Sequence, residues 1–434
     1  MITYKQSFLI SSILFFIFSI NYIVLRENNI TLFLASYLDY EFNLSKLTLI
    51  FFITVPFISY IFFKSVKNTF AMLLSNLTIV GVLPGIIVYS FSSHSSIWIF
   101  FITNIYIVFF LTIFSRKKII LSNISFMKKT NSFSNNINLS FIKIIAFLGC
   151  LFYCYLFVKY FDILNFRPMN EIYIQRQLFK ETILRWEGYP LLISKTISTF
   201  SFLILALYNK NSFYLIPAIF IFFTDYLLGA HKTSIFSIFF ILSYFFIFYK
   251  FNLQKYYYWL VTIFITFVSI VLNIFLYFSN EFTNRIVALY DRVFFVSIGL
   301  FARLYDYVNE NGFFYGGVGL FGKIFNITEQ DKPSTIILGE HFFNEGVQAN
   351  VNFIADGYLN FGFIGSFFQI LILWIFFNKS DNENFKNHYS IFFPLFFVYS
   401  KILTSTGLQI ALLSGGMIVF IIYFKIAFYT NKGE

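Results

Sequence analysis

The sequence predicts an all-α polytopic integral membrane protein, and three observations lead to that fold class. Hydrophobic residues make up 58% of the 434 residues and charged residues only 12%, about half the roughly 25% that soluble domains carry. The mean hydropathy is +0.75. Apolar runs of about 20 residues, the length a helix needs to cross a bilayer, recur along the whole chain. A soluble globule of this composition could not cover its surface with polar groups.

Twelve apolar runs define the predicted transmembrane helices of one membrane domain over 1–434. They lie near 7–25, 47–63, 70–91, 96–114, 141–161, 190–208, 212–230, 233–249, 256–279, 352–377, 388–403 and 406–428. One basic residue precedes the first run and no small-residue cleavage site follows it. We therefore expect this run to remain as a span rather than to be removed as a signal peptide.

Three long connections separate the spans and set the predicted orientation. The connection 115–140 is polar and basic, whereas 162–189 and 280–351 are mixed. With the N-terminus in the cytoplasm, the inner loops carry 14 basic residues against three acidic ones, and the outer loops carry 12 against 15. Because basic residues concentrate in cytoplasmic loops, both termini and 115–140 are expected inside. The two large loops then face outward.

The arginines are distributed unevenly between the two sides. Six of the eight lie in the two large outward-facing loops, at Arg167, Arg176, Arg185, Arg285, Arg292 and Arg303. A guanidinium binds phosphate or carboxylate oxygens through two parallel hydrogen bonds, which a lysine cannot do. The asymmetry indicates an outer surface that binds an anion, with simple neutralisation of nearby acidic residues as the alternative.

The segment 281–311 concentrates three of these arginines. If it forms one helix, Arg285, Arg292 and Arg303 are spaced by 7 and 11 residues and fall on one stripe at about 100° per residue. The pair Asn311-Gly312 is a stop signal for that helix. The stripe could line an outward-facing groove for a polyanionic head group. Alternatively, the arginines of an amphipathic surface helix reach out to lipid phosphates.

A second group of charges lies at the predicted outer ends of spans. Asp225, His231 and Lys232 end one span, and Lys195 and Lys401 lie within apolar segments at a similar predicted level. Ionisable residues within spans usually face a cavity or one another. This group predicts a polar chamber open to the outer leaflet, although the two lysines could instead extend to the interface.

A third group follows the second large loop. His341, Glu345 and Asp356 bracket the start of the next span, and a carboxylate at the mouth of a span can act as a general base. The alternatives are a surface histidine and a simple N-terminal helix charge at Asp356. Glycines suited to close helix packing follow, at Gly357, Gly362 and Gly365.

Motifs for cofactors and metals are not found. Gly317, Gly319 and Gly322 spell G-x-G-x-x-G, but no predicted strand precedes them, so they are interpreted as a flexible turn. The sequence has four histidines in all and no metal-type cluster, so neither a cofactor nor a metal is expected. The net charge of +11 is attributed to membrane topology, and no nucleic acid partner is expected.

Two local runs and the arrangement of spans and loops carry a resemblance. The runs are NRIVALYDRVFFVSIGLFARLYDY, residues 284–307, and ADGYLNFGFIG, residues 355–365. Together with the architecture over the whole chain, they resemble the Wzy-type oligosaccharide repeat-unit polymerases, which build bacterial O-antigen and capsular polysaccharide. The resemblance implies a multi-pass protein of the bacterial inner membrane that acts at its outer leaflet.

The resemblance also implies a reaction and a set of residues. The substrate would be an undecaprenyl-pyrophosphate-linked oligosaccharide, with glycosyl transfer to another repeat unit and release of the lipid pyrophosphate. A chain-length regulator and a flippase would be partners. The substrate-binding residues would be Arg285 and Arg292, which match the family's arginine positions, Lys232, which corresponds to its basic position after an earlier span, and the further arginines Arg303, Arg176 and Arg185.

Other classes of membrane protein remain open. The related O-antigen ligases resemble the same region but have a His-Asn pair where this chain has Ala355 and Asp356, which favours polymerase over ligase. The base is left unassigned among Asp356, Glu345 and His341, in that order. A flippase for lipid-linked oligosaccharide is the main alternative, and an acyltransferase using His231 or His341 is another.

Overall fold

The structure is a computed structural model of the chain, and every regular element that it describes is helical. It describes 3–27, 42–65, 69–91, 138–166, 172–229, 256–278, 294–315, 334–342, 352–380, 398–412 without 405, 416–427 and a few single positions between them. Within these ranges, seven helices are long and apolar enough to cross a membrane. The chain is therefore an all-α, multi-pass membrane protein.

The helices fall into two compact units that alternate along the sequence. Unit 1 contains α1 (Tyr4–Glu27), α2 (Leu44–Ser65), α3 (Thr69–Leu77), α4 (Leu83–Ser90), α9 (Tyr257–Phe278), α10 (Val296–Asn311), α11 (Ser334–Phe342), α12 (Phe353–Ser380) and most of α13 (Leu408–Leu412). Unit 2 contains α5 (Leu139–Lys159), α6 (Ile172–Thr182), α7 (Arg185–Asn209), α8 (Leu215–Gly229) and α14 (Met417–Ala427).

Eight of the predicted spans coincide with these helices. Seven are the long apolar helices, and the eighth is Thr69–Ser90, which is helical throughout but contains a π-helical turn at Thr78–Val82. The run at 406–428 is not one uninterrupted helix, because Gly416 has a φ of +73° just before α14 begins. The predicted span 96–114 and most of 233–249 and 388–403 lie outside the described residues.

Unit 1 is joined internally by polar contacts between apolar helices. Asn21 of α1 donates hydrogen bonds to Ser269 of α9 and to Tyr290, each at 2.6 Å. The Tyr258 hydroxyl of α9 lies 2.6 Å from both Ser65 and Ser75. A polar group in an apolar environment is costly unless it is paired, so these contacts fix the register of α9 against α1, α2 and α3.

The π-helical turn is the close-packing point of the helix Thr69–Ser90. A Cβ on Gly81 would lie 2.7 Å from the Cγ2 of Thr404, so only glycine permits this approach. Extra-residue turns of this kind are rare in helices and often occur near functional sites. The turn brings Thr69–Ser90 against residues 398–404, which are also helical.

The helix α12 is a hairpin and not a straight span. Its backbone leaves the helical region at Phe361 and Gly362, where Gly362 has a φ of +61°. The two arms then fold back on each other, since a Cβ on Gly357 would lie 2.7 Å from the carbonyl oxygen of Gly365. The predicted close packing of these glycines is confirmed. The second arm, 363–380, is about 27 Å long at 1.5 Å per residue.

Unit 2 is built on the pair α5 and α7. Gly149 of α5 leaves no room for a Cβ beside Ser198 of α7, which is the small-residue contact by which membrane helices approach closely. The α14 helix joins this pair through a contact of 2.7 Å between the hydroxyls of Tyr423 and Ser201. The short helix α6 lies within the predicted loop 162–189 and packs on α8.

Candidate functional site

Asp356 is the best-defined polar centre of unit 1. It lies in the first turn of α12, and only 7% of the residue is exposed. The Ser334 hydroxyl donates to its Oδ1 at 2.9 Å, and the Gln369 amide of the second arm donates to its Oδ2 at 3.2 Å. A Cβ on Gly407 would lie 2.6 Å from Oδ2. Asp356 therefore connects both arms of the hairpin to α11 and to the segment before α13.

Burial makes a negative charge at Asp356 costly, and the hydrogen bonds from Ser334 and Gln369 offset part of that cost. Hydrogen bonds to a charged acceptor are stronger than those between neutral groups. The carboxylate is thus held in one orientation, with both oxygens engaged and little surface exposed.

His341 lies at the other end of α11. It is seven residues from Ser334, about 10 Å along a helix axis, and it is exposed. Its ring packs edge-on against Tyr307 of α10, with centroids 4.7 Å apart. Tyr307 is in turn stacked on Phe314, and burial raises the pKa of Tyr307. The structure therefore separates His341 from Asp356 while placing both on the same short helix.

The segment after α10 fixes the hairpin tip. The helix ends at the predicted stop signal, where Gly312 has a φ of +82°. The backbone N–H groups of Phe314 and Tyr315 then donate to the carbonyls of Leu359 and Asn360, at 3.1 and 2.9 Å. These bonds satisfy carbonyls at the C-terminal end of the first arm, which an α-helix leaves unpaired.

The predicted arginine stripe is only partly covered by the structure. Arg303 lies on α10, which begins at Val296 after Phe295 in a turn. The described helix is thus interrupted at Phe295, and the alignment of the three arginines on one stripe stays a prediction. The positions of Arg285, Arg292 and Glu345 lie outside the described residues.

Unit 2 contains an ion pair between two of its long helices. The Lys195 Nζ of α7 lies 3.2 Å from the Asp225 Oδ2 of α8, and Asp225 is almost fully buried. Ser234 donates a hydrogen bond to the same oxygen. Lys195 is thus paired with Asp225, while the predicted polar chamber stays a prediction. Lys232 itself lies outside the described residues, two positions before Ser234.

The predicted arginines of unit 2 lie on neighbouring helices. Arg176 is half-buried on α6, and Arg185 is the first residue of α7. The preceding residue of α6, Gln175, donates to the carbonyls of Leu227 and Leu228, both at 3.1 Å. Arg176 is therefore held near the end of α8 that carries Asp225. Lys401, the remaining charge of that group, belongs to unit 1 and is half-buried.

A second buried carboxylate in unit 2 was not anticipated from the sequence. Glu187 is fully buried in the first turn of α7 and pairs with Lys159 at 2.6 Å. It also accepts hydrogen bonds from the hydroxyls of Tyr155, at 2.9 Å, and Tyr160. Its carboxylate also accepts from the Leu184 N–H at 3.1 Å, but leucine lacks the side-chain acceptor of a capping box, so the sequence carried no signal for this role.

Ser334 and Gln369 were also missed. Neither forms part of a recognisable motif, and they are 22 and 13 residues from Asp356 in sequence. Only the fold of the hairpin brings them onto the carboxylate.

No family model, no curated protein and no solved structure matches this chain.

Proposed function

We propose that this protein polymerises undecaprenyl-pyrophosphate-linked oligosaccharide repeat units at the outer leaflet of the bacterial inner membrane. A hydroxyl of the acceptor sugar attacks the anomeric carbon of the lipid-linked glycan. The bond from that carbon to the pyrophosphate oxygen breaks, the electron pair stays on the pyrophosphate, and the hydroxyl proton passes to a base. The proposal retains the topology of twelve spans with both termini in the cytoplasm and both large loops outside.

The cations of the two outer loops would hold the pyrophosphate as its charge develops. Preorganised cations in a poorly hydrated groove stabilise a developing anion better than water does. In unit 2, Lys195 pairs with Asp225, which also accepts a hydrogen bond from Ser234, two positions after Lys232 in sequence. The residues proposed for this role are Arg285, Arg292, Arg303, Lys232, Arg176 and Arg185.

The base is assigned by exposure. Asp356 has both oxygens engaged and is buried, whereas His341 is exposed at the end of α11. A base needs to come within hydrogen-bonding reach of the hydroxyl that it deprotonates. His341 is therefore the proposed base among the described candidates, Asp356 is a positioning residue for α11, and Glu345 remains a third candidate.

One observation supports the proposal above the others. Parts of the predicted loop 280–351 are folded onto a span, because α11 is bonded to α12 through Ser334 and Asp356 and the segment after α10 is bonded to the hairpin tip. The helix that carries Arg303 thereby lies against the exposed His341, through the ring contact of Tyr307. A catalytic reaction requires side chains that are held at fixed positions. A loop that only connects two spans does not need to be bonded to them in this way.

The test is a gene deletion in the host, followed by size separation of the surface polysaccharide on a gel. We expect long chains to vanish while a single-repeat band remains. Complementation with Arg292→Ala should fail to restore long chains, whereas Arg116→Ala in the predicted cytoplasmic loop 115–140 is the matched control and should restore them. Normal chain lengths in both variants would refute the arginine site.

A flippase for lipid-linked oligosaccharide is the second candidate, and one observation favours it. The hairpin of α12, the break before α14 and the π-helical turn are interruptions of the kind that transporters use to build binding sites within the membrane. In the same deletion strain, a flippase would leave lipid-linked single repeats on the cytoplasmic side and display nothing at the surface.

A further inference from the structure

The helix α6 has three distinct faces. Gln175 and Phe179 are buried against the protein, whereas the side chains of Ile174 and Leu178 are 52% and 39% exposed. At about 100° per residue, this apolar exposed pair lies beside the buried pair. Glu181 lies at the edge of the exposed apolar pair, about 20° from Ile174, whereas Arg176, Gln177 and Lys180 form the charged and polar remainder. In a helix fully surrounded by water, the exposed Ile174 and Leu178 would have no apolar environment to contact.

The level of α6 is set by what its buried face contacts. The Gln175 amide donates to the carbonyl of Ile163 at 2.7 Å and to those of Leu227 and Leu228. One turn later, the Phe179 ring packs edge-on against Tyr160. All of these partners lie at the ends of α5 and α8, the two long apolar helices beneath. The α6 helix therefore runs across the span ends, at their level.

The exposed apolar surface continues from α6 onto its neighbours. Phe166, Leu184 and Trp186 are 65%, 47% and 58% exposed, and they flank α6 along the chain. Below them, Val158 of α5 is 74% exposed within a helix apolar enough to span the membrane. Lys159 lies beneath the Trp186 ring at 6.0 Å, an arrangement of aromatic and basic residues that is typical of a membrane–water interface.

We propose that α6 is an interfacial helix, which lies in the plane of the membrane with Ile174 and Leu178 in the acyl-chain boundary. Its partner is the lipid bilayer itself, and its charged face lies among the lipid head groups. A helix with one apolar face, a charged opposite face and little overall hydrophobicity binds membranes in this way. The proposal does not depend on the enzymatic function proposed above.

The experiment uses spin labels on the full-length protein in lipid vesicles. Cysteines are introduced singly at Ile174, Leu178, Gln177 and Lys180 after Cys150 and Cys154 are replaced by serine. All four side chains are exposed, so the substitutions leave the fold intact. Collision with oxygen, which partitions into lipid, is compared with collision with a water-soluble nickel chelate.

We expect the oxygen-to-nickel ratio to be severalfold higher at 174 and 178 than at 177 and 180. A label at Phe147, which is 62% exposed in the middle of α5, gives the lipid reference, and one at Lys210, which is exposed beyond the end of α7, gives the aqueous reference. An equal ratio at all four positions, or nickel access at 174 and 178 equal to that at Lys210, would overturn the proposal.

Discussion

Replacement of Asp356 by asparagine distinguishes a positioning carboxylate from a catalytic base. In the wild-type protein, Oδ1 accepts from Ser334 and Oδ2 from Gln369. An asparagine keeps the acceptor toward Ser334 but presents an N–H toward the Gln369 amide. The Gln369 Oε1 is buried and has no hydrogen-bond partner, so rotation of that amide would supply an acceptor and restore the second bond.

The magnitudes follow from the two hydrogen bonds. Each bond to a charged group contributes about 1.5–3 kcal/mol, against about 0.5–1.5 kcal/mol for a neutral one. Asp356→Asn should therefore lower the free energy of unfolding by about 1–3 kcal/mol and leave the hairpin closed. Asp356→Ala removes both bonds, and a loss of roughly 3–6 kcal/mol is comparable with the whole stability of many domains.

The assays are thermal unfolding of the purified protein in lipid nanodiscs and chain extension in the deletion strain. We expect Asp356→Asn to unfold at a slightly lower temperature and to retain chain extension. Asp356→Ala should lose both its folded structure and chain extension. The double variant Asp356→Asn with Gln369→Leu is the control, since it removes the group that rescues the asparagine. A stable Asp356→Asn protein whose extension rate falls by about 10²–10⁴, the usual contribution of a general base, would refute the positioning role.

Three further predictions concern the packing and the charges. Lys195→Ala leaves the buried Asp225 carboxylate without its cation and should destabilise the protein by about 3–5 kcal/mol. Lys195→Met with Asp225→Leu should recover most of the loss, and thermal unfolding of the single and double variants measures the coupling. Glu187→Gln should lower the free energy of unfolding by about 1.5–3 kcal/mol, because it weakens the bonds to Lys159 and to two tyrosines. An unchanged unfolding midpoint would contradict this network. Gly365→Ala places a Cβ against the carbonyl oxygen of Gly357 in the other arm and should lower the free energy of unfolding by about 1–3 kcal/mol or more. Gly188→Ala is the control in the same unfolding assay, because a Cβ at that position meets open space.

The positions of helices in this chain could be predicted well from local sequence. Apolar runs long enough to span a bilayer must form helices there, because every backbone N–H and C=O needs a partner within the segment. Eight predicted spans accordingly lie on helices. The stop at Asn311-Gly312 was also predictable, because only a residue that tolerates positive φ ends a helix in that way.

The interruptions within helices could not be predicted in the same way. The hairpin at Phe361 and Gly362 lies in a run whose hydropathy fits one straight span. The π-helical turn at Thr78–Val82 is equally invisible to a hydropathy count. Both depend on close packing against other segments, and hydropathy carries no information about which glycine meets which neighbour.

The sequence by itself determined that this is a helical membrane protein, which side chains carry charge, and which of them lie in apolar segments. Tertiary structure alone decided the pairings: Asp356 with Ser334 and Gln369, and Lys195 with Asp225. The physical reason is that insertion into a membrane depends on composition summed over about 20 residues. A hydrogen bond depends on the positions of two atoms to within a few tenths of an ångström, and the partners here are 13 to 30 residues apart in sequence.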